Sequence, residues 1–320
     1  MNLRSVEEIR PNVRVILRMD LDVPQGDNSR LLKSVPTIRY LLEQNCKIAI
    51  IGHKGRPIGR EEKYSLRSVY VELMGILGEM DSIFLENFDE IPDNQVLFFE
   101  NLRYWEGEEK NDNTFMQNLT GKYEAFVNDA FAVAHRRHAS VMLCNIMDTY
   151  LGFSFVEETE KISKILENPE RPLIVVLGGA KEDKLSYLPE LVKVADKILV
   201  GGKLPKLISY QNDKIIVGKL REDTMDLSQE TIADFVEIIN SSKTIIWAGA
   251  MGCYEDKNCR IGTQAIAEAI ALNTGFKIIA GGDTAASIES LGYKSRVDYV
   301  CSGGGVMLEF ITKGTLPALE

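Results

Sequence analysis

Six times along this chain a short apolar run ends in glycine and gives way to a helical pattern. The runs are Lys47–Ile51 before Gly52, Leu173–Leu177 before Gly178-Gly179, and Lys197–Val200 before Gly201-Gly202. Thr244–Trp247 before Gly249, Lys277–Ala280 before Gly281-Gly282 and Tyr299–Cys301 before Gly303-Gly304-Gly305 complete the set. Unbroken Val/Ile runs without polar alternation are what strands covered on both faces look like. Glycine at such an end lets the chain turn tightly and brings backbone N–H groups close to a ligand. Between the runs lie helices with readable ends. Pro36 suits a first helical turn after Ser34, with Val35, Ile38, Leu41 and Leu42 on one face. Ser65 can cap a helix stopped by Gly78, and Ser228 one that carries Ile232, Phe235, Val236 and Ile239. The alternation predicts a doubly wound α/β architecture with ligands beyond the carboxyl ends of the strands.

A length of 320 residues favours two such domains. A helix over Glu157–Glu167 is stopped by Asn168-Pro169, and the strand pattern then begins afresh at Leu173, so the boundary is placed near residue 156. The net charge of −10 gives no nonspecific attraction for nucleic acid or an anionic membrane. No run of eighteen apolar residues is present, Met1–Pro11 lacks the apolar core of a signal peptide, and five scattered cysteines suggest reduced core thiols. The cytosol is the expected compartment. The acidic run Glu106–Asp112 reads as a solvated loop.

The halves share the charge equally but not its chemistry. Residues 1–156 carry 12 Arg and 6 Lys, whereas residues 157–320 carry 4 Arg and 15 Lys. Arginine's planar fork suits fixed recognition of carboxylate or phosphate, and lysine acts as a mobile point charge. Four polar segments follow apolar runs in the first half: Arg18–Pro24, Ile51–Pro57, Glu100–Arg103 and Asn128–His138. His53, His135 and His138 could suggest a metal, but Arg136-Arg137 between the last two would repel a cation, so an anion site is the better reading. In the second half, Gly178–Lys184, Gly281–Thr284 and Ser302–Gly305 are candidate phosphate cradles, and an adjacent Asp can hold Mg²⁺. Neither a P-loop, a G-x-G-x-x-G after a strand nor a protein-kinase motif set is present.

Taken in order, RMDLDVP (18–24), GHKGRP (52–57), LFFENLRYWEGEEKND (97–112), VNDAFAVAHRRHAS (127–140), RPLIVVLGGAKEDK (171–184), GGDTAAS (281–287) and SGGGVMLE (302–309) resemble phosphoglycerate kinase. The resemblance implies two Rossmann-like parallel-sheet domains facing each other across a cleft, 1–156 for the phosphoglycerate and 157–320 for the nucleotide, the last residues able to pack back on the first domain. It implies reversible phosphoryl transfer between 1,3-bisphosphoglycerate and Mg·ADP, giving 3-phosphoglycerate and ATP. It assigns Asp20, Asp22, Arg30, His53, Arg56, Arg103 and Arg136 to the phosphoglycerate. Arg30 and Lys181 serve the transferring group. Gly179, Lys184, Gly202, Glu255, Gly281, Gly282, Thr284 and Gly303 to Gly305 lie about the nucleotide, and Asp283 on Mg²⁺. The partners implied are these small molecules alone, with the chain a monomer.

Several departures bear on function. Asp22 stands where the family has Asn, and should repel an anion unless Arg18 or another base pairs with it. Ala248 stands in place of an amide side chain that faces the phosphates. Lys181 and Lys184 are three apart instead of four. Between Lys203 and Met225 several dozen family residues are missing, and the chain stops at Glu320 with a trimmed tail. The alternative to a working kinase is a phosphoglycerate-binding or regulatory protein of this fold that has lost nucleotide use.

Overall fold

A computed structural model of the chain describes residues 4–24, 26–112 and 114–320. It divides into two units, Met1–Thr159 with Thr315–Glu320, and Glu160–Gly314. The first holds β1 (Arg14–Met19), α1 (Ser29–Glu43), β2 (Lys47–Ile51), α2 (Arg67–Leu77), β3 (Ser82–Leu85) and β4 (Val96–Phe99). Then come two short helices, α3 (Glu106–Glu109) and α4 (Gln117–Thr120), followed by β5 (Ala125–Asp129), β6 (Asp148–Leu151) and α5 (Phe153–Glu167), within which the division falls. Its six strands are all parallel, in the order β3-β4-β2-β1-β5-β6. Successive residues feed opposite cores: Val15, Leu17, Ile48, Ile50 and Phe98 pack on one face, and Ile16, Ala49, Ile51, Leu97 and Phe99 on the other. Burial on both faces is why these strands read as continuous apolar runs.

The second unit holds β7 (Leu173–Leu177), α6 (Leu188–Val194), β8 (Lys197–Val200), β9 (Ile215–Val217), α7 (Gln229–Asn240) and β10 (Thr244–Ala248). It continues with α8 (Ile261–Leu272), β11 (Phe276–Ala280), α9 (Gly282–Ser290), β12 (Tyr299–Cys301) and α10 (Gly304–Lys313). The sheet is again all parallel, ordered β12-β11-β10-β7-β8-β9. Each unit is thus the doubly wound α/β architecture that the glycine-ended runs predict. Strand order reverses between β1 and β5 in one sheet and between β7 and β10 in the other. Such reversals open a crevice at the carboxyl ends of the strands. No helix among the described residues is long and apolar enough to cross a membrane.

Two local expectations are corrected. Pro36 lies inside α1, not in its first turn: the helix begins at Ser29, whose N–H donates to Asp27 Oδ1. Glu106–Asp112 is only in part a solvated loop: Glu106–Glu109 forms α3 and Glu108 is fully buried, whereas residues 110–112 are exposed and lie outside the helix.

Asp129 ends β5 and accepts a hydrogen bond from the Phe155 N–H in the first turn of α5. Burial pushes its carboxyl up to about 6, against smaller opposing effects from the Ser34 hydroxyl and the Phe155 amide. A raised carboxyl contributes stability below pH 3.8 that is lost as pH rises through 6, so at neutral pH its charge is a cost. Asp129→Asn is therefore expected to stabilise the chain by about 1–3 kcal/mol at pH 7.5 and by little at pH 4. Paired thermal melts at the two pH values check this.

Candidate active site

At the crevice of the first unit, four strand ends supply the polar groups. Asp20 follows β1, His53 follows β2, Arg103 stands in a 3₁₀ turn after β4, and Arg136 lies beyond the turn that follows β5. Asn101 shapes the Arg103 turn: its Nδ2 donates to the carbonyls of Lys54 and Tyr64 at 2.7 and 2.9 Å, while its Oδ1 accepts from the Arg103 N–H. Arg103 donates from Nη1 to the Gly55 carbonyl, and its Nε lies 3.1 Å from Glu109 as an ion pair, but neither its buried Nε nor its buried Nη2 has a hydrogen-bond partner among the described residues. A buried guanidinium nitrogen without an acceptor is costly unless a ligand oxygen completes it.

Electrostatics agree. Burial, and then the Arg136 charge, hold Arg103 below the usual arginine value; burial, and then Arg56, do the same to Arg136. His53 is pushed well below the usual histidine range by burial and by Arg18, Arg103 and Arg136, and His138 is pushed down to about 4 by burial and by Arg136. Both rings are neutral near pH 7. The cations repel one another, and an added anion relieves that repulsion.

Arg30, at the start of α1, is docked on Asp20 at 3.0 Å and donates to the Asp22 carbonyl. Asp22 is not paired by Arg18, as a search for a neighbouring base would suggest. Its Oδ1 accepts the Gly55 N–H at 2.8 Å, a neutral donor from the β2 loop. Arg18 is fully buried and turned toward Ser140 and His53. Arg56 is exposed in the same loop as Gly55.

In the second unit the crevice is tightly knit. The Gly178 N–H donates to Ala248 O, Gly179 N–H to Ala250 O, and Gly202 N–H to Met251 O. The amides of Gly179 and Gly202 are therefore spent within the protein. Gly202 has φ +62°, and a Cβ there would lie 2.5 Å from Gly179 N and 2.6 Å from Gly179 O. Backbone cannot give way as a side-chain tip can, so Gly202→Ala is expected to cost about 1–3 kcal/mol. Its measure is a lowered melting temperature together with weakened nucleotide binding.

Lys184 and Lys181 separate clearly. Lys181 precedes the 3₁₀ turn Glu182–Tyr187 in extended backbone (φ −88°, ψ 119°), whereas Lys184 lies within it, so the same-side alignment of residues three apart in a 3₁₀ helix does not hold for this pair. Lys184 folds inward, its Nζ donating to Gly178 O at 2.9 Å and Ala248 O at 3.0 Å, and burial pushes its ammonium down to about 8. Lys181 is exposed, and no described residue holds it by a hydrogen bond or ion pair. Ala248 itself is buried at the end of β10 and contributes its carbonyl.

Gly281 and Gly303 cap α9 and α10. The first backbone bond of α9 runs from the Ala285 N–H to Gly281 O, so the amides of Gly282, Asp283 and Thr284 precede it. The Thr284 hydroxyl accepts the Gly249 N–H at 2.7 Å and fixes the β10 loop. A cavity of 240 Å³ brings together Gly179, Gly202, Glu255 and Asp283, with Met225 and Tyr254 on its wall. Lys181, Lys184, Gly281, Gly282, Thr284 and Gly303 to Gly305 do not line it. Among the described residues no group of three His, Cys, Asp or Glu side chains is gathered for a metal.

Sequence reasoning missed Glu108 and Ser140, which are buried beside the cationic cluster and bonded to each other. The only local signal was their presence within the segments that follow β4 and β5.

The chain is similar to known proteins along its length. A family model described as phosphoglycerate kinase matches residues 7–224 and 208–314. Phosphoglycerate kinase of Finegoldia magna is 30% identical, the alignment covering 100% of this chain and 99% of the relative; that of a Thermus thermophilus strain is 33% identical, covering 99% of each. The Finegoldia alignment runs to 390 positions, past the 320 residues here, so the relative carries positions with no counterpart in this chain. Among solved structures, phosphoglycerate kinase from Coxiella burnetii superposes with a TM-score of 0.81 at 27% identity, covering 99% of this chain and 97% of that one. The Pyrococcus horikoshii enzyme gives 0.79 at 25% with the same coverage. With sequence and fold in agreement from end to end, the chain belongs to the phosphoglycerate kinase family and is a phosphotransferase.

Proposed function

We propose that the chain transfers a phosphoryl group reversibly between 1,3-bisphosphoglycerate and Mg·ADP, giving 3-phosphoglycerate and ATP, with the phosphoglycerate held by the first unit and the nucleotide by the second. The observation that carries this reading is the cationic cluster, in which the buried Arg103 Nη2 lacks an acceptor among the described residues and Arg103, Arg136 and the exposed Arg56 repel one another. A phosphoglycerate supplies carboxylate and phosphate oxygens for arginine forks. His53 and His138, kept neutral, add donors without adding charge. Arg30, held on Asp20, is the cation of this unit assigned to the transferring phosphoryl.

On the nucleotide side, the first-turn amides of α9 and α10 face phosphate oxygens, and Lys184 sits beneath the strand-end loops. Lys181 is free to follow the migrating group. Asp283, exposed in the first turn of α9 and lining the cavity, fits Mg²⁺, which takes one or two carboxylates and completes its shell with phosphate oxygens and water. Bound there, Mg²⁺ would neutralise charge on the nucleotide phosphates. Phosphoryl transfer needs little else than positioning and charge stabilisation, so no protein nucleophile or general base is required. The compartment in this reading is the cytosol and the chain acts as a monomer. A coupled assay with 3-phosphoglycerate and Mg·ATP tests it. Mg²⁺-dependent turnover is expected; calorimetric binding of 3-phosphoglycerate without turnover would overturn it and leave a binding protein.

A further inference from the structure

His53 is the buried end of a hydrogen-bond chain whose direction can be read atom by atom. Its Nδ1 lies 2.8 Å from Arg18 Nη2. A guanidinium only donates, so Nδ1 accepts and the ring proton of a neutral His53 must reside on Nε2. Arg18 is itself aimed: its Nε donates to Ser140 Oγ at 3.0 Å, and its Nη1 donates to the Met19 carbonyl. Ser140 can accept there because its own proton goes to Glu108 Oε1, 2.6 Å away, while the Ser140 N–H donates to Oε2 at 3.0 Å. Arg18, Glu108 and Ser140 are all fully buried. The chain of donors therefore runs one way on each side of Arg18, anchored at one end by a carboxylate.

We propose that Glu108, Ser140 and Arg18 are positioning residues for His53, presenting its Nε2–H as a fixed donor to an oxygen of the anionic ligand. The ligand assignment rests on the phosphoglycerate reading above; the tautomer does not. Arg18 thus serves two purposes. Its charge is balanced through Ser140 by Glu108, while its second nitrogen selects the tautomer. Were Nδ1 protonated instead, it would meet the Arg18 donor head on, and Nε2 would offer a lone pair to an anion. A fixed donor is complementary to carboxylate or phosphate and not to a cation, which also explains why a ring so near three arginines serves binding without carrying charge.

The test is ¹⁵N-histidine NMR of the whole chain, with the His53 signals assigned by their loss in His53→Gln. Ligand-free wild type is expected to show His53 with Nε2 protonated and Nδ1 bare. A ring protonated at Nδ1, or an even mixture, would overturn the relay. Ser140→Ala removes the acceptor for Arg18 Nε. It is expected to mix the tautomers and raise the KM for 3-phosphoglycerate roughly tenfold while leaving the KM for nucleotide unmoved. Ser140→Thr, which keeps the hydroxyl, should restore both. An unchanged His53 spectrum in Ser140→Ala overturns the proposal even if KM shifts. Should Ser140→Ala fail to fold, the wild-type tautomer decides alone. Calorimetry of wild type with 3-phosphoglycerate separates the two readings: absence of binding with the Nε2–H ring intact removes the proposed substrate and supports the relay on its own.

Discussion

Lys181→Ala is expected to lower kcat by two to three orders of magnitude while changing either KM by less than tenfold, the pattern left when a charge acts chiefly in the transition state. The argument turns on how differently the two lysines of this loop are held. Lys184 is committed, its ammonium donating to two carbonyls at the strand ends. Lys181 lies one residue before a 3₁₀ turn, exposed and held by no described partner, on a loop flexed at Gly179, where φ is +86°. A phosphoryl group in flight carries charge spread over its equatorial oxygens, and a lysine on a flexible stem can move with it. Lys181→Arg keeps the charge but lengthens and stiffens the head group, so partial recovery is expected. A loss confined to the nucleotide KM, with kcat intact, would make Lys181 a ground-state binder.

The strands and the anion site were legible in the chain for the same reason: both sit where apolar runs stop. Leu173–Leu177 and Tyr299–Cys301 were read to the residue because burial on two faces leaves no polar position to blur their ends. Arg103 and Arg136 could be placed together because each follows a strand, although the sheet order, which inserts β4 between β3 and β2, was not readable from periodicity. What stayed hidden depends on contacts distant in sequence. Nothing local separates Glu108 from Glu106 and Glu109; Ser140, 32 residues away, selects it for burial. Asp22 looked like a liability because its partner is a backbone N–H, and backbone donors leave no mark in a sequence. Pro36 reads as a helix start because proline suits a first turn, yet it stands inside α1, where it removes one backbone hydrogen bond.

The nucleotide side should reveal Lys184 through pH. Burial pushes its ammonium from the ordinary 10.5 down to about 8. The ratio kcat/KM for nucleotide, taken at saturating 3-phosphoglycerate, follows ionisations of the enzyme before nucleotide binds. It is expected to fall about tenfold per pH unit above roughly 8, as the amine loses the charge that attracts phosphate. Stability moves the other way. Between pH 8 and 10.5 the unfolded chain holds the Lys184 proton more tightly than the folded one, so this group adds stability as pH rises through that window. Falling activity with a rising Lys184 contribution to stability is a signature that general alkaline unfolding cannot imitate. Lys184→Met removes the titrating group. Its nucleotide kcat/KM should be about ten- to a hundredfold lower at pH 7, the loss of one charge-assisted contact, and should show no break at about 8. The same alkaline break in Lys184→Met would assign the ionisation to another group and leave Lys184 as a structural tie between the loops after β7 and β10.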